Sequence, residues 1–404
     1  MTTVILGAGI LGTCAALEIA DRGGRVVLID RNAHPISEAS LHNEGKVHTG
    51  FTYAADPTPH TVRTLQAGAV RFLDVLARWV PADALDRLRS HPFDYAVLDD
   101  SQVPPDAVER HFAQVEGAWR LAARGAARQP VAPDRPFWRA LADSERTARY
   151  APGRVTAAYE TAEIAIDPRG LAPLLRQAVA GHPRIEWLGQ TRITGIEQQD
   201  LGHSIAIDGP AGQDRLGPFP SVVNALWANR PWLDRMLGID QSGPWFTRFK
   251  AGVRIAGPPP AGLRSVTAVL GPYGDIVVQP HGETYLSWYP DCMIASTRNA
   301  ERSEWSEHAA GIEHRRIAMR TIAAMAAIQP AASAFLASPP AAIEVSGGAI
   351  YALAVSDIDD RASRLHRRDI VGIRSRDAYH SVDTSKFTLG PAVAVDAADR
   401  VHPR

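Results

Sequence analysis

The stretch VILGAGILGTCAALEIADRGGRVVLID, residues 4–30, limits what this chain can fold into more than any other. Gly7, Gly9 and Gly12 form a G-x-G-x-x-G pattern between an apolar run, Val4 to Leu6, and a helical pattern. A second β-branched run, Val26 to Ile29, ends in Asp30 and Arg31. The first glycine permits a tight strand-to-helix turn, and the second lets backbone N–H groups approach a pyrophosphate. The third lets helix and strand pack closely. The helix N-terminus at Ile10 and Leu11 supplies an anion-binding dipole. An acid about 20 residues on accepts from a ribose 2′-hydroxyl, and Asp30 stands there. A lone glycine pattern is often only a turn. In this chain strand, helix, strand and acid fall in register and predict a dinucleotide site.

Length and composition narrow the class. At 404 residues the chain is long for one core and predicts two or three lobes. A charged fraction of 22% with net charge −1 gives no reason to expect a nucleic-acid surface or a basic membrane patch. Cys14 and Cys292 have neither metal-ligand spacing nor the density of a disulfide framework. The first 20 residues are apolar but lack a basic leader, and no apolar run is long enough to span a bilayer. A cytoplasmic protein is expected. Arginine dominates the 43 basic residues, and lysine occurs only at Lys46, Lys250 and Lys386. A retained lysine hints that a compact ammonium is wanted.

Further along, residues 61–80 show apolar positions at helical spacing, residues 92–99 read as a strand, and a helix is expected from Pro105 to about Leu121. Asp167-Pro168 suits a helix start. Strand patterns near 193 and 222 are consistent with the same sheet as the first strand. A long helical stretch is expected from about Ser303 to Ile328, with strands near 341–355, 369–374 and 378–382. Only the first βαβ is contiguous, which points to a nucleotide domain assembled from separated segments. The expected fold is α/β, α+β overall: a Rossmann-like dinucleotide domain with an inserted, mostly antiparallel β substrate domain. The boundaries expected are 1–90, 151–235 and 341–404 for the first, and 91–150 with 236–340 for the second.

Four segments together resemble the FAD-dependent oxidoreductases of the D-amino-acid-oxidase-like family, glycine oxidase and L-2-hydroxyglutarate oxidase types among them. The opening fingerprint is one, extended by Ala16 and Gly23; Asp30 replaces the usual Glu. The segment Ser40 to Gly50 resembles the family loop N-x-G-x-x-H-x-G, with Asn43, Gly45, Lys46, Val47 and His48 in it. A third set is the Asp167-Pro168 helix, Ile193 and its neighbours, and the strand ending Asn224-Ala225, followed by Leu226-Trp227 where many members have Ala-Gly. The last, Tyr379 to Thr388, carries Ser385 and Lys386 where the family loop covers the flavin, but lacks the usual glycine pair. The resemblance implies FAD as cofactor, held by the fingerprint, by Asp30 and Arg31, by Ser40 to His48, by Ile193, Asn224 and Ala225, and by Ser385 and Lys386.

Flavin chemistry asks the protein for positioning, a dry face and positive charge near the pyrimidine edge. Lys386 is the candidate for that charge; a solvated loop lysine is the plain alternative. The resemblance implies that Lys46 and His48 lie near the flavin ring, where a histidine can act as base on a substrate hydroxyl, or be an ordinary hydrogen-bonded loop residue. Lys250 and Arg254 share a strand face and can hold a substrate carboxylate or phosphate; an exposed basic strand face competes with that. Tyr285 and Tyr289 on TYLSWYP line either the substrate cavity or the core. No metal site is expected.

The expected reaction takes a hydride from a CH–OH or CH–NH carbon of a small polar metabolite, with O2 or an unidentified acceptor receiving the electrons. Amine oxidation of the glycine or sarcosine oxidase type is the near alternative. An NAD(P) dehydrogenase and a non-catalytic flavin-binding protein are the others.

Overall fold

The computed structural model describes residues 2–239, 243–298, 301–302, 304–368 and 371–403. The strand Thr2–Leu6 lies at the centre of a six-stranded sheet, with Arg25–Ile29 and then Ile185–Leu188 on one side. Ser221–Asn224, Tyr379–Asp383 and Gly372–Arg376 follow on the other. All neighbours are parallel except the last pair. The register sets Leu6 opposite both Ile29 and Asn224, and Asn224 opposite Ser381. Chain direction therefore brings the carboxyl ends of five strands to one edge, where an open α/β sheet leaves a crevice for ligand.

The helix Ile10–Asp21 is buried from Ile10 through Ala20. Small residues make that burial possible, because Gly12, Cys14, Ala15, Ala16 and Ala20 let neighbouring backbone come close. A Cβ placed on Gly12 would lie 1.8 Å from the Gly7 carbonyl oxygen. The C-terminal helix Gly390–Val401 packs against it, and a Cβ on Gly390 would come 2.7 Å from the Ile10 side chain. The helix Pro168–Gly181 begins as its sequence predicts, Asp167 accepting from the Arg169 amide at 2.9 Å.

A second, nine-stranded sheet is antiparallel except where Val266–Val269 runs beside Asp94–Leu98. Its longest strand, Trp245–Ala256, is flanked by Glu283–Trp288, Met293–Thr297 and Ile343–Leu353. Its own core includes Val253, Ile276, Leu286 and Ile322. Two strands depart from the segment grouping drawn from sequence. Val155–Thr161 pairs with Asp94–Leu98, and Ile343–Leu353 pairs along eleven residues of the long strand. Both belong to the second sheet.

Three local expectations change. Arg192–Gln199 does not join the first sheet; it pairs with the hairpin that follows it, Gly202–Gly209 and Gly212–Phe219, as a separate three-stranded sheet. The helical stretch near 303–328 is two helices, Trp305–Ala309 and His314–Ala326, separated by Gly311 at φ +87°; its expected start, Ser303, lies outside the described residues. Tyr289 opens a short helix, Tyr289–Cys292, rather than extending the strand, since Pro290 cannot donate to a ladder and suits a helix start. Residues 369–370 of the expected 369–374 strand also lie outside the described residues. Among those described, no helix is long and apolar enough to cross a membrane.

Gly12→Ala is expected to lower stability by about 1–3 kcal/mol, the usual range for overpacking a tight core. A shift in the midpoint of denaturant unfolding reads it. An unchanged midpoint would mean that the helix can move off the strand at no cost.

Candidate active site

At the carboxyl edge of the first sheet a cavity of about 340 Å³ runs between the two sheets. Gly7, Gly9, Ile10, Leu11, Asp30, Arg31, Ser40, Asn43, Ile193 and Ala225 wall it on the side of the first sheet. Lys250, Thr267, Asp275 and Tyr285 wall it on the side of the second, and Lys46, His48, Ser385 and Lys386 lie on the loops between.

The nucleotide side is built from backbone. Gly7 turns at φ +97°, and a Cβ on Gly9 would approach Ser40 Oγ to 3.0 Å. Ile10 donates its amide to that Ser40 oxygen at 3.0 Å. The Leu11 and Gly12 amides, in the first turn, have no intrahelical acceptor. Asp30 closes the second strand: Oδ2 accepts from the Ala8 amide at 2.7 Å and Oδ1 from Asn32 at 2.8 Å. Oδ1 accepts from both the amide and the side chain of Asn32, while Oδ2 keeps a further lone pair for a hydroxyl donor. Free helix N-terminal amides, a glycine cradle and an acid beyond them form the donor and acceptor set that a dinucleotide needs. The residues fit the cofactor that the sequence implies.

Some sequence-chosen residues act one layer back. Gly12 packs helix on strand, and Gly45 (φ +75°) presses on Ile166, where a Cβ would meet the carbonyl oxygen at 2.1 Å. Val47 is fully buried. Asn224 is buried beneath the edge, donating to Arg230 O, Asp234 and the Tyr379 hydroxyl. Asn43 reaches the cavity, but its amide is spent on the loop: Oδ1 accepts from Gly45 N at 2.7 Å, and Nδ2 donates to Ala39 O and Ser40 O.

The opposite side carries the titratable groups. Lys46 is buried, its ammonium 2.7 Å from Asp275 Oδ1, in contact with Thr267 Oγ1 and 4.2 Å from the Phe93 ring centroid. Burial alone would push the Asp275 carboxyl up, but Lys46 outweighs it and holds it below the ordinary range. His48 is buried with both ring nitrogens lacking a hydrogen bond, the Glu44 carboxylate lying 3.8 Å from Nε2. That distance is beyond hydrogen-bond reach. Burial first, then the charge of Lys386, lowers the imidazole below its usual value, so it is neutral at pH 7. Glu44 stays ionised: burial opposes its charge, yet the charges of Lys386 and Lys250 help hold its carboxyl well down. Lys386 is pushed down to about 7 by burial and by Arg368, and its ammonium has no hydrogen bond or ion pair among the described residues.

Two expected substrate residues lie elsewhere. Arg254 is turned away from the cavity and only 1% exposed; it ion-pairs with Glu283 and donates to the Asn43 carbonyl at 2.8 Å. It fastens the 41–43 loop to the second sheet, because spacing fixed its face but not its depth. Tyr289 donates its hydroxyl to Asp357 at 2.6 Å, outside the cavity lining. Residues outside the sequence-predicted set also line the cavity. Glu44 sits inside the chosen loop and was readable there. Trp227 stands in the Leu226-Trp227 pair that follows Asn224-Ala225, whereas Thr267, Asp275, Trp232, Arg302 and Trp305 come from other segments, with no local pattern to mark them.

Fold and cavity together define a protein that holds a dinucleotide cofactor against a substrate chamber. Residues 2–400 match the FAD dependent oxidoreductase family, and the chain belongs to it. Its cofactor is accordingly FAD. Glycine oxidase from Geobacillus kaustophilus is similar in structure over 99% of this chain and 94% of its own, with 17% identity and a TM-score of 0.68. FAD-bound L-α-glycerophosphate oxidase from Mycoplasma pneumoniae is similar over 99% and 95%, with 15% identity and a TM-score of 0.67. At such identities the likeness is one of fold. In sequence, a D-amino acid dehydrogenase from Rhizorhabdus wittichii is 36% identical over 73 residues, a match spanning 18% of this chain and 16% of that protein.

Lys46→Met would leave Asp275 buried without its counter-charge. A loss of about 3–5 kcal/mol is expected for breaking a buried pair from one side, read by thermal or denaturant unfolding. Unchanged stability would mean that Asp275 takes up a proton at little cost.

Proposed function

We propose that the protein takes a hydride from the CH–OH carbon of a small polar metabolite, with His48 accepting the hydroxyl proton. The observation that carries this is the place of His48: on the cavity wall, with neither ring nitrogen hydrogen-bonded among the described residues, and with burial holding its imidazole below the usual range. An unprotonated imidazole without a fixed partner is what general-base chemistry near neutrality requires.

In this proposal Gly7 to Gly12, Ser40 and Ala225 hold the pyrophosphate side of FAD, Asp30 accepts from its ribose, and Ile193 borders the adenine. Ser385 and Lys386 cover the pyrimidine edge. When bound, the flavin supplies a two-electron acceptor. The chain's own part is to orient the substrate, hold its proton at His48 and keep water out. Lys386 supplies positive charge where electron density rises, and no described carboxylate lies within ion-pair distance of its ammonium, which supports that role. The electrons pass on to O2 or to a protein acceptor. A cytoplasmic setting accords with two buried, unpaired cysteines. Amine oxidation is the second reading, supported by the family and by the names of similar structures, among them L-proline dehydrogenase from P. horikoshii at a TM-score of 0.64 and 15% identity.

An anaerobic screen of hydroxy and amino metabolites, scored by loss of flavin absorbance, tests the assignment. Reduction by hydroxy compounds alone supports it; reduction by amino compounds alone overturns it in favour of the second reading. For the active substrate, the rate of flavin reduction should be bell-shaped in pH. It should rise below 6.5, as His48 loses its proton, and fall above about 7, as Lys386 loses its own. A profile flat from pH 5 to 9 would remove both groups from the chemistry.

A further inference from the structure

Away from the nucleotide edge, the cavity wall carries two carboxylates, Glu44 and Asp275, whose capacity to accept hydrogen bonds is only partly used. Asp275, on the strand Gly274–Val278, takes both of its protein donors on one oxygen. Oδ1 accepts from Lys46 Nζ and from Thr267 Oγ1, each at 2.7 Å. Oδ2 has no hydrogen bond among the described residues, and 15% of the side chain stays accessible. The Glu44 carboxylate has no hydrogen bond among them either, with 23% of its side chain accessible. An ionised carboxylate offers about four acceptor sites. In a cavity, those the protein leaves open fall to whatever fills it.

Two buried neutral groups on the same wall are also unengaged. Tyr285 lines the cavity at 3% exposure, and its hydroxyl has no hydrogen bond among the described residues. Antiparallel register sets Asp275 opposite both Thr267 and Ser287, and Tyr285 opposite Val277, so these polar side chains share one face of the second sheet. Both Glu44 and Asp275 are among the charges that act on the Tyr285 phenol. His48 is the other, with both ring nitrogens free and Nε2 3.8 Å from the Glu44 carboxylate. Charge decides what the acids can hold. Lys46, Lys250 and Lys386 line this side and outnumber them. Lys46 offsets Asp275, and Lys386 and Lys250 act on Glu44. A cationic ligand would meet no net negative field here, whereas a neutral hydroxyl needs only an acceptor.

We propose that Glu44 and Asp275 accept hydrogen bonds from substrate hydroxyls other than the one oxidised, so that the metabolite turned over beside His48 is polyhydroxylated. Glu44 takes the hydroxyl next to the reacting one, since its carboxylate and the His48 ring lie within reach of neighbouring groups on one molecule. Asp275 Oδ2 takes a hydroxyl further along, with Lys46 and Thr267 fixing the carboxylate from behind through Oδ1. A site built to pair with a hydroxyl discriminates strongly against an analogue that lacks it, because its buried acceptors are then left unmet. The proposal rests on the cavity being the substrate chamber, as inferred above, and adds a requirement that hydride transfer alone does not impose.

The test titrates FAD-loaded protein anaerobically, at constant ionic strength, with erythritol, 1-butanol and butylammonium, and reads the flavin absorbance spectrum. Erythritol should perturb it saturably, and the other two should not. Glu44→Gln and Asp275→Asn should each weaken erythritol binding on the order of tenfold, the usual worth of a hydrogen bond to a charged group. Asp275→Asn also strips Lys46 of its counter-charge. If that variant does not fold, Glu44→Gln decides, since it removes no side-chain hydrogen bond among the described residues. The proposal falls if erythritol has no effect, if 1-butanol acts as strongly, if butylammonium binds more tightly than erythritol, or if either folded variant binds erythritol as wild type does. Saturable erythritol binding in a protein that no hydroxy metabolite reduces would overturn the oxidation assignment and leave the acceptor pair standing. Reduction by hydroxy metabolites irrespective of a second hydroxyl would do the opposite.

Discussion

The segment from Gly45 to Thr49 is gripped from both halves of the molecule, and the site depends on that grip. The Val47 amide donates to the Ile164 carbonyl at 3.0 Å, and Thr49 donates twice to the buried Glu163 carboxylate. Lys46 reaches Asp275 on the second sheet, while the His48 amide donates to Thr388 Oγ1 at 2.9 Å in the closing loop. Alternation along an extended segment sends Lys46 and His48 to one side and Val47 to the other. The buried valine therefore anchors what the neighbouring polar side chains present to the cavity. Backbone anchoring of this kind places an imidazole without using its ring nitrogens, which stay available for chemistry.

Electrostatics divides the chamber into two. The Lys46–Asp275 pair is internally neutral and acts as a fixed strut between loop and sheet. Lys386, by contrast, keeps a charge that burial and its cationic neighbours disfavour. Such tension is common where a ligand or reaction supplies the missing charge. Arg254, whose carboxylate and carbonyl partners make it a structural clamp, belongs with the strut.

The parts legible in the sequence are those whose physics is local. A tight turn, a close helix–strand contact and an acid at a strand end all fall within residues 4–30, so the nucleotide edge could be read directly. The parts that were not legible depend on pairing or depth. Arg192–Gln199 carries an ordinary strand pattern, and nothing in it says that its partner is the next hairpin rather than the central sheet. Lys46 and Asp275 are 229 positions apart, so their contact has no local trace. Arg254 and Tyr289 have the residue types of a substrate clamp, but packing turned both toward partners outside the cavity.

The central claim is that His48 takes the substrate proton, and one comparison tests it most directly. The rate of anaerobic flavin reduction by the active metabolite should be measured for the wild type and for His48→Asn, each loaded with FAD. The account predicts a fall of about 10²–10⁴-fold, the usual contribution of a positioned base, with FAD still bound. Equal rates in the two proteins would contradict it.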